Sequence, residues 1–201
     1  MRAQRIHYVS GLILISFAAL HLCNHAVGLF GAEAHIAYMQ KLRTVYRHAF
    51  VESILLLCVG MQIATGIRLF FRKRKSATNG FKKLQLYTGL YMVFFLSVHV
   101  SAVLVGRTVL DLDTNYYFGV AGLNIFPLFL FFIPYYGLAI AAFFGHLSAV
   151  HYTKMKREIF GITTERQAKI ILWSGVVFSV VVLYGLTDGF TGVEIPAEYR
   201  F

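Results

Sequence analysis

The chain has 201 residues, of which 58% are hydrophobic and 14% charged, with a formal net charge of +10. Soluble domains carry about a quarter charged residues, so a water-soluble enzyme is excluded. The basic residues abut long apolar runs, as in Arg72 to Lys75, so the charge reads as membrane topology rather than nucleic-acid binding.

A bilayer span needs roughly 20 mostly apolar residues, and the stretches 8–30, 50–71, 85–106, 123–147 and 168–187 meet that need. Hydrocarbon offers no partner for backbone groups, so each stretch must bond internally as a helix. None alternates with polar residues as a membrane barrel requires. The expected fold is all-α: an integral membrane bundle of five transmembrane helices in a single domain, 1–201.

The first stretch, Val9 to Leu22, reaches the upper length of a signal-peptide core, but continues to Phe30 without a small-residue cleavage site. It therefore reads as a helix, and it carries His21 with His25 one turn on. After it, Ile36, Tyr38, Met39, Leu42, Val45 and Tyr46 alternate with Gln40, Lys41, Arg43 and Arg47, predicting a short helix on the membrane surface. The second span opens at Glu52 and holds Gln62 four residues before Gly66; Ser76 to Gly80 then forms a turn. The third span carries His99 and the fourth His146, with Pro127 and Pro134 one and two turns into the fourth, where Pro134 is placed to kink it. Cys23 and Cys58 lie in spans without metal-ligand spacing and read as apolar fillers. Tyr116, Tyr117, Tyr135 and Tyr136 are expected in an aromatic belt. His7, His35, His48 and His151 fall at interfaces or loops and are expected in headgroup water.

Fourteen Lys and Arg fall on the amino-terminal side of the spans and five on the other. Glu33, Asp111, Asp113, Asp188, Glu194 and Glu198 lie on the poorly basic side, against Glu158 and Glu165 on the basic one. The positive-inside rule then places the amino terminus inside and the carboxyl terminus outside a cell's cytoplasmic membrane.

Ionisable side chains at membrane depth mark functional sites by default. His21 and His99 each follow the start of their spans by about 13 residues, roughly 20 Å at 1.5 Å per residue, in the outer half. Two histidines at equal depth on different helices suit an iron held between two imidazoles. Zinc or copper would need three or four convergent ligands, and no Cys or acid joins this pair. Helix–helix hydrogen bonds and a proton relay are the other readings. His146 lies in the inner half, where its depth counterpart on the second span is Gln62, which is not a usual haem axial ligand.

These residues resemble those of a known family, the cytochrome b membrane anchor of succinate dehydrogenases and fumarate reductases in its single-chain, five-helix form. His21, followed by Leu22-Cys23-Asn24-His25 and then Gly31-Ala32-Glu33-Ala34, resembles the family's first-helix ligand and the start of its outer loop. Arg47 and Glu52 resemble its second-helix entrance, Ser97-Val98-His99-Val100 its third-helix ligand, and Phe144-Gly145-His146-Leu147-Ser148 its fourth. The resemblance implies haem b at His21 and His99, with His25 and His146 as further candidates. It also implies electron transfer between an iron–sulfur partner and membrane quinone, with iron–sulfur and flavoprotein subunits on the inner face. Quinone candidates are Asn24, Arg43, Arg47, His48 and Glu52, each of which also reads as an interfacial anchor or loop ion pair. Gln62 stands where the family has its second-helix histidine, so one haem is expected rather than two. The chain has no flavin, nicotinamide or iron–sulfur motif, so alone it does not oxidise succinate. A stand-alone membrane cytochrome and a haem-free protein keeping the fold are the alternatives.

Overall fold

The computed structural model describes residues 2–200. Its helices are α1 (Arg2–Val27), α2 (Ala32–Tyr46), α3 (Ala49–Lys73), α4 (Gly80–Thr108), α5 (Tyr116–Asn124), α6 (Phe129–Lys154) and α7 (Thr164–Leu186). Five of them, α1, α3, α4, α6 and α7, are long and apolar enough to cross a bilayer. This is a multi-pass membrane bundle.

Side chains start several of these helices. Asn79 caps α4 by accepting from the Lys82 amide at 2.8 Å, Asn115 caps α5 from the Tyr117 amide at 2.9 Å, and Thr163 caps α7. A single 3-10 turn, Gly28–Phe30, extends α1, and Gly31 at φ 93° reverses the chain into α2.

The spanning helices pack in chain order, α1 on α3, α3 on α4, α4 on α6 and α6 on α7, and α7 returns to the end of α1. The α6–α7 pair is the tight one, since 28% and 33% of their apolar stretches are buried, against 6% in each of α1, α3 and α4. Ser148, fully buried, donates to the Ala168 carbonyl at 2.6 Å, and Ser179 to that of Gly137 at 3.0 Å. The main apolar core lies at the α2 end, where α5 and the carboxyl-terminal segment meet α6 and α7 through Tyr116, Val120, Leu123, Val182, Leu186 and Tyr199.

Three expectations change. The run 123–147 is not one helix: α5 ends at Asn124, Pro127 lies in the connecting turn and α6 begins at Phe129. Proline has no amide hydrogen and turns the residue before it away from helix, which breaks a run that hydropathy reads as continuous. Helix α1 begins at Arg2, not near residue 8, because a helix can project past the hydrocarbon with its polar side chains in water. Tyr116 and Tyr135 are buried at 3% and 4% exposure and pack inward instead of forming a belt.

Candidate functional site

His21 on α1 and His99 on α4 face each other across the bundle, with ring centroids 6.1 Å apart at 64°. Each imidazole lies beside an aromatic ring one turn earlier on its own helix. Phe17 stacks on His21 at 5.4 Å and Phe95 on His99 at 5.0 Å. Tyr136 of α6 meets His99 edge-on at 6.2 Å. Both histidines remain partly accessible although they point inward, and α1 and α4 are not a closely packed pair among the described residues. The interior here is held by side chains rather than by backbone contact.

His25 shares a hydrogen bond with His21, Nε2 to Nε2 at 3.1 Å, and its ring lies 5.5 Å from that of His35. His35 corrects the expectation of headgroup water. It is 3% exposed, takes a hydrogen bond from Asn24 at 3.1 Å and packs against Tyr116 at 5.0 Å. Burial, with His21 and Arg43 adding, lowers its pKa to about 4, so it is neutral near pH 7. Burial, with Tyr117 and Asp188 adding, raises the Tyr116 hydroxyl to about 12. The structure thus joins His99, His21, His25 and His35 into one line of rings running toward α2. Sequence reasoning missed His35. The signal was present in His35, Met39 and Arg43, spaced four apart on one helical face.

Of the polar residues singled out near the α2 end, Asn24 joins this cluster through His35. Arg43 bonds Asp113 at 2.7 Å and the Thr114 carbonyl at 2.8 Å. Glu52 pairs with Arg107 of α4, and Arg47 and His48 are exposed. A cavity of about 240 Å³ between α1, α2 and α3 is walled by Ile13, Leu20, Leu42, Val45 and Leu55 and reaches His21 and Asn24.

The other half of the bundle is arranged differently. Gln62 donates to the His7 carbonyl and, at 2.8 Å, to the Ser10 hydroxyl, so it ties α3 to α1. His146 donates to the Gln85 carbonyl of α4 at 3.1 Å and does not bond Gln62. His7, half-buried, bonds Thr65 at 2.9 Å, and His151, also half-buried, bonds Gln167 at 2.8 Å.

No cluster of three or more His, Cys, Asp or Glu suited to a metal ion occurs among the described residues. A porphyrin iron needs only two. Imidazole nitrogens about 2 Å from a shared metal on opposite sides put the ring centroids roughly 6 Å apart, and the His21–His99 separation of 6.1 Å meets that. The donor set fits a bis-imidazole iron. His21 Nε2 cannot serve iron and His25 together, so metal binding requires the His21–His25 bond to open. The adjoining cavity is below the about 300–1,000 Å³ of small-molecule sites, so side chains between α1 and α4 must turn aside for a macrocycle. Comparison with protein-family models, with curated proteins and with solved structures gives no match for this chain.

Proposed function

We propose that this protein is a membrane cytochrome b in which His21 and His99 hold one haem from opposite faces. It serves as the anchor subunit of a succinate- or fumarate-linked quinone oxidoreductase. The observation that carries the reading is the pairing of these two imidazoles across the bundle at 6.1 Å. Phe17 and Phe95 fix the ring orientations, and the surrounding apolar spans exclude water. When bound, the haem supplies a one-electron carrier within the membrane. The amino terminus and the basic turns face inward in this reading, where they meet an iron–sulfur partner. The cavity between α1, α2 and α3 reaches His21 and Asn24, and a quinone ring would enter it only with the flanking side chains turned aside.

The test is the visible spectrum of the purified protein. A low-spin reduced haem b spectrum is expected for the wild type. It should be lost in His21→Ala and His99→Ala and kept in His7→Ala and His151→Ala. An unchanged spectrum in His99→Ala overturns the ligand assignment. Loss with His25→Ala but not His21→Ala moves the site one turn along α1. The His21–His25 hydrogen bond favours one second reading, a haem-free protein whose histidines bond each other. In that case the wild type shows no haem spectrum.

A further inference from the structure

The connection between α6 and α7, residues 155–163, closes in a tight turn. The Ile159 and Ile162 backbones bond each other, amide to carbonyl, at 3.3 and 2.9 Å. Between them Phe160 and Gly161 both take positive φ, 49° and 72°. Turns of this hand favour Asn or Asp ahead of Gly, because a bulky side chain in the left-handed region crowds its own backbone. Phe160 is a costly choice for the turn, and it recovers nothing inside the protein. At 98% exposure it is the most exposed large hydrophobic residue among those described.

Gln167 of α7 braces the turn. Its Nε2 donates to the Ile162 carbonyl at 2.8 Å and to the Arg157 carbonyl at 3.2 Å, and its Oε1 accepts from His151 of α6 at 2.8 Å. The ring is therefore presented on a fixed support, which lowers the ordering cost of any contact it makes. Depth and charge say what that contact is. From 147, where its apolar stretch ends, α6 continues to Lys154, about 10 Å at 1.5 Å per residue. The headgroup layer on each side is about 5–8 Å thick, so α6 has crossed it before the turn begins and lipid tails do not cover Phe160. Lys154, Lys156, Arg157 and Arg166 flank the turn and are exposed, against Glu158, while Glu165 is taken up by Lys169 at 2.6 Å.

We infer that the α6–α7 turn is a docking knob, with Phe160 entering an apolar pocket on a water-soluble protein whose surface around that pocket is acidic. Interfaces concentrate binding energy in a central aromatic anchor, and complementary charge at the rim steers association. In the proposed cytochrome this partner is the iron–sulfur subunit, an assignment that rests on that reading; the knob does not.

Phe160→Asn, which suits the turn, separates docking from folding. The isolated full chain carrying it should melt at or above the wild-type temperature, because asparagine tolerates the left-handed region. A lower melting temperature shows that Phe160 packs within the protein and overturns the proposal. Docking is read by placing photoreactive benzoylphenylalanine at position 160 of the full chain and irradiating the native membrane. The control position is Trp173, 63% exposed in the apolar stretch of α7. One protein adduct is expected at 160 and none at 173, and Arg157→Glu with Arg166→Glu should lower its yield about tenfold or more. The adduct's partner, identified by mass and purified, should bind Phe160→Asn about 10–100-fold more weakly than the wild type. Equal affinity, a yield indifferent to the charge reversals, an adduct with lipid or with a second copy of the chain, or no adduct overturns the knob. A partner that meets these criteria but carries no iron–sulfur cluster upholds the knob and overturns the iron–sulfur assignment alone.

Discussion

Substituting Gly175 by alanine tests the seam that holds the bundle together. A β-carbon built on Gly175 of α7 would sit 2.1 Å from the Phe144 Cβ of α6 and 2.3 Å from its Cγ. Carbon atoms pack at about 3.5–4.0 Å, so the overlap is roughly 1.5 Å. Both clashing Cβ atoms are fixed to backbone, so no rotamer relieves the contact and the helices must part. Overpacking of this kind costs about 1–3 kcal/mol or more. Parting also strains the Ser148–Ala168 and Ser179–Gly137 hydrogen bonds, and interhelical bonds in membranes are worth about 0.6 kcal/mol each. The total, about 2–4 kcal/mol, corresponds to a fall in melting temperature of roughly 5–15 °C for a chain of this size. The matched control is Gly119→Ala in α5, where an added β-carbon meets nothing within 4 Å. There the loss of glycine's chain entropy makes the change neutral or slightly stabilising. The assay is the fraction of detergent-solubilised protein that stays monodisperse after heating. If Gly175→Ala melts within about 2 °C of the wild type, α6 and α7 do not cross through Gly175 and Phe144.

Gln62→Leu should cost about 1 kcal/mol, the worth of two interhelical hydrogen bonds, and leave the haem content unchanged, as judged by melting and haem extraction. With Gln62 bonded to α1 and His146 to α4, about one haem per chain is expected, and extraction of two would show a second ligand pair. In the haem-free protein, His35 is neutral when folded, with its pKa lowered to about 4 from the unfolded 6.5. The unfolded chain therefore binds the extra proton, so stability is full above about pH 6.5 and falls progressively toward pH 4; His35→Leu should flatten that part of the pH–stability curve. Reporter fusions should place the amino terminus inside and the carboxyl terminus outside, and two ends on one side would refute the odd number of crossings.

The spans were legible because bilayer thickness imposes a length on any apolar helix, whatever it packs against. Their ends were less so. Asn124 donates to the Leu186 carbonyl and accepts from the Val193 amide, at 3.0 and 2.9 Å. Those contacts anchor the end of α5 to the far end of the chain and separate it from α6, and hydropathy carries no trace of them. In the site, the equal depth of His21 and His99 was readable from residue counting alone. The bond between His35 and Asn24 was not, because an amphipathic helix outside the hydrocarbon gives the same pattern whether its polar residues meet water or protein. Gln62 was conspicuous as a polar residue inside an apolar span. Its actual partners on α1 depend on how two helices rotate against each other, which composition does not specify.

The uneven packing of the bundle has a consequence for biogenesis. Helices α1, α3 and α4 leave the ribosome before α6 and α7, yet they bury little against one another. The two imidazoles therefore reach the membrane on helices that are not yet locked in place. The α6–α7 hairpin then adds the packing of α6 on α4 and of α7 on the end of α1. In the proposed cytochrome, the least obstructed moment for a macrocycle to reach His21 and His99 is thus before that hairpin has packed.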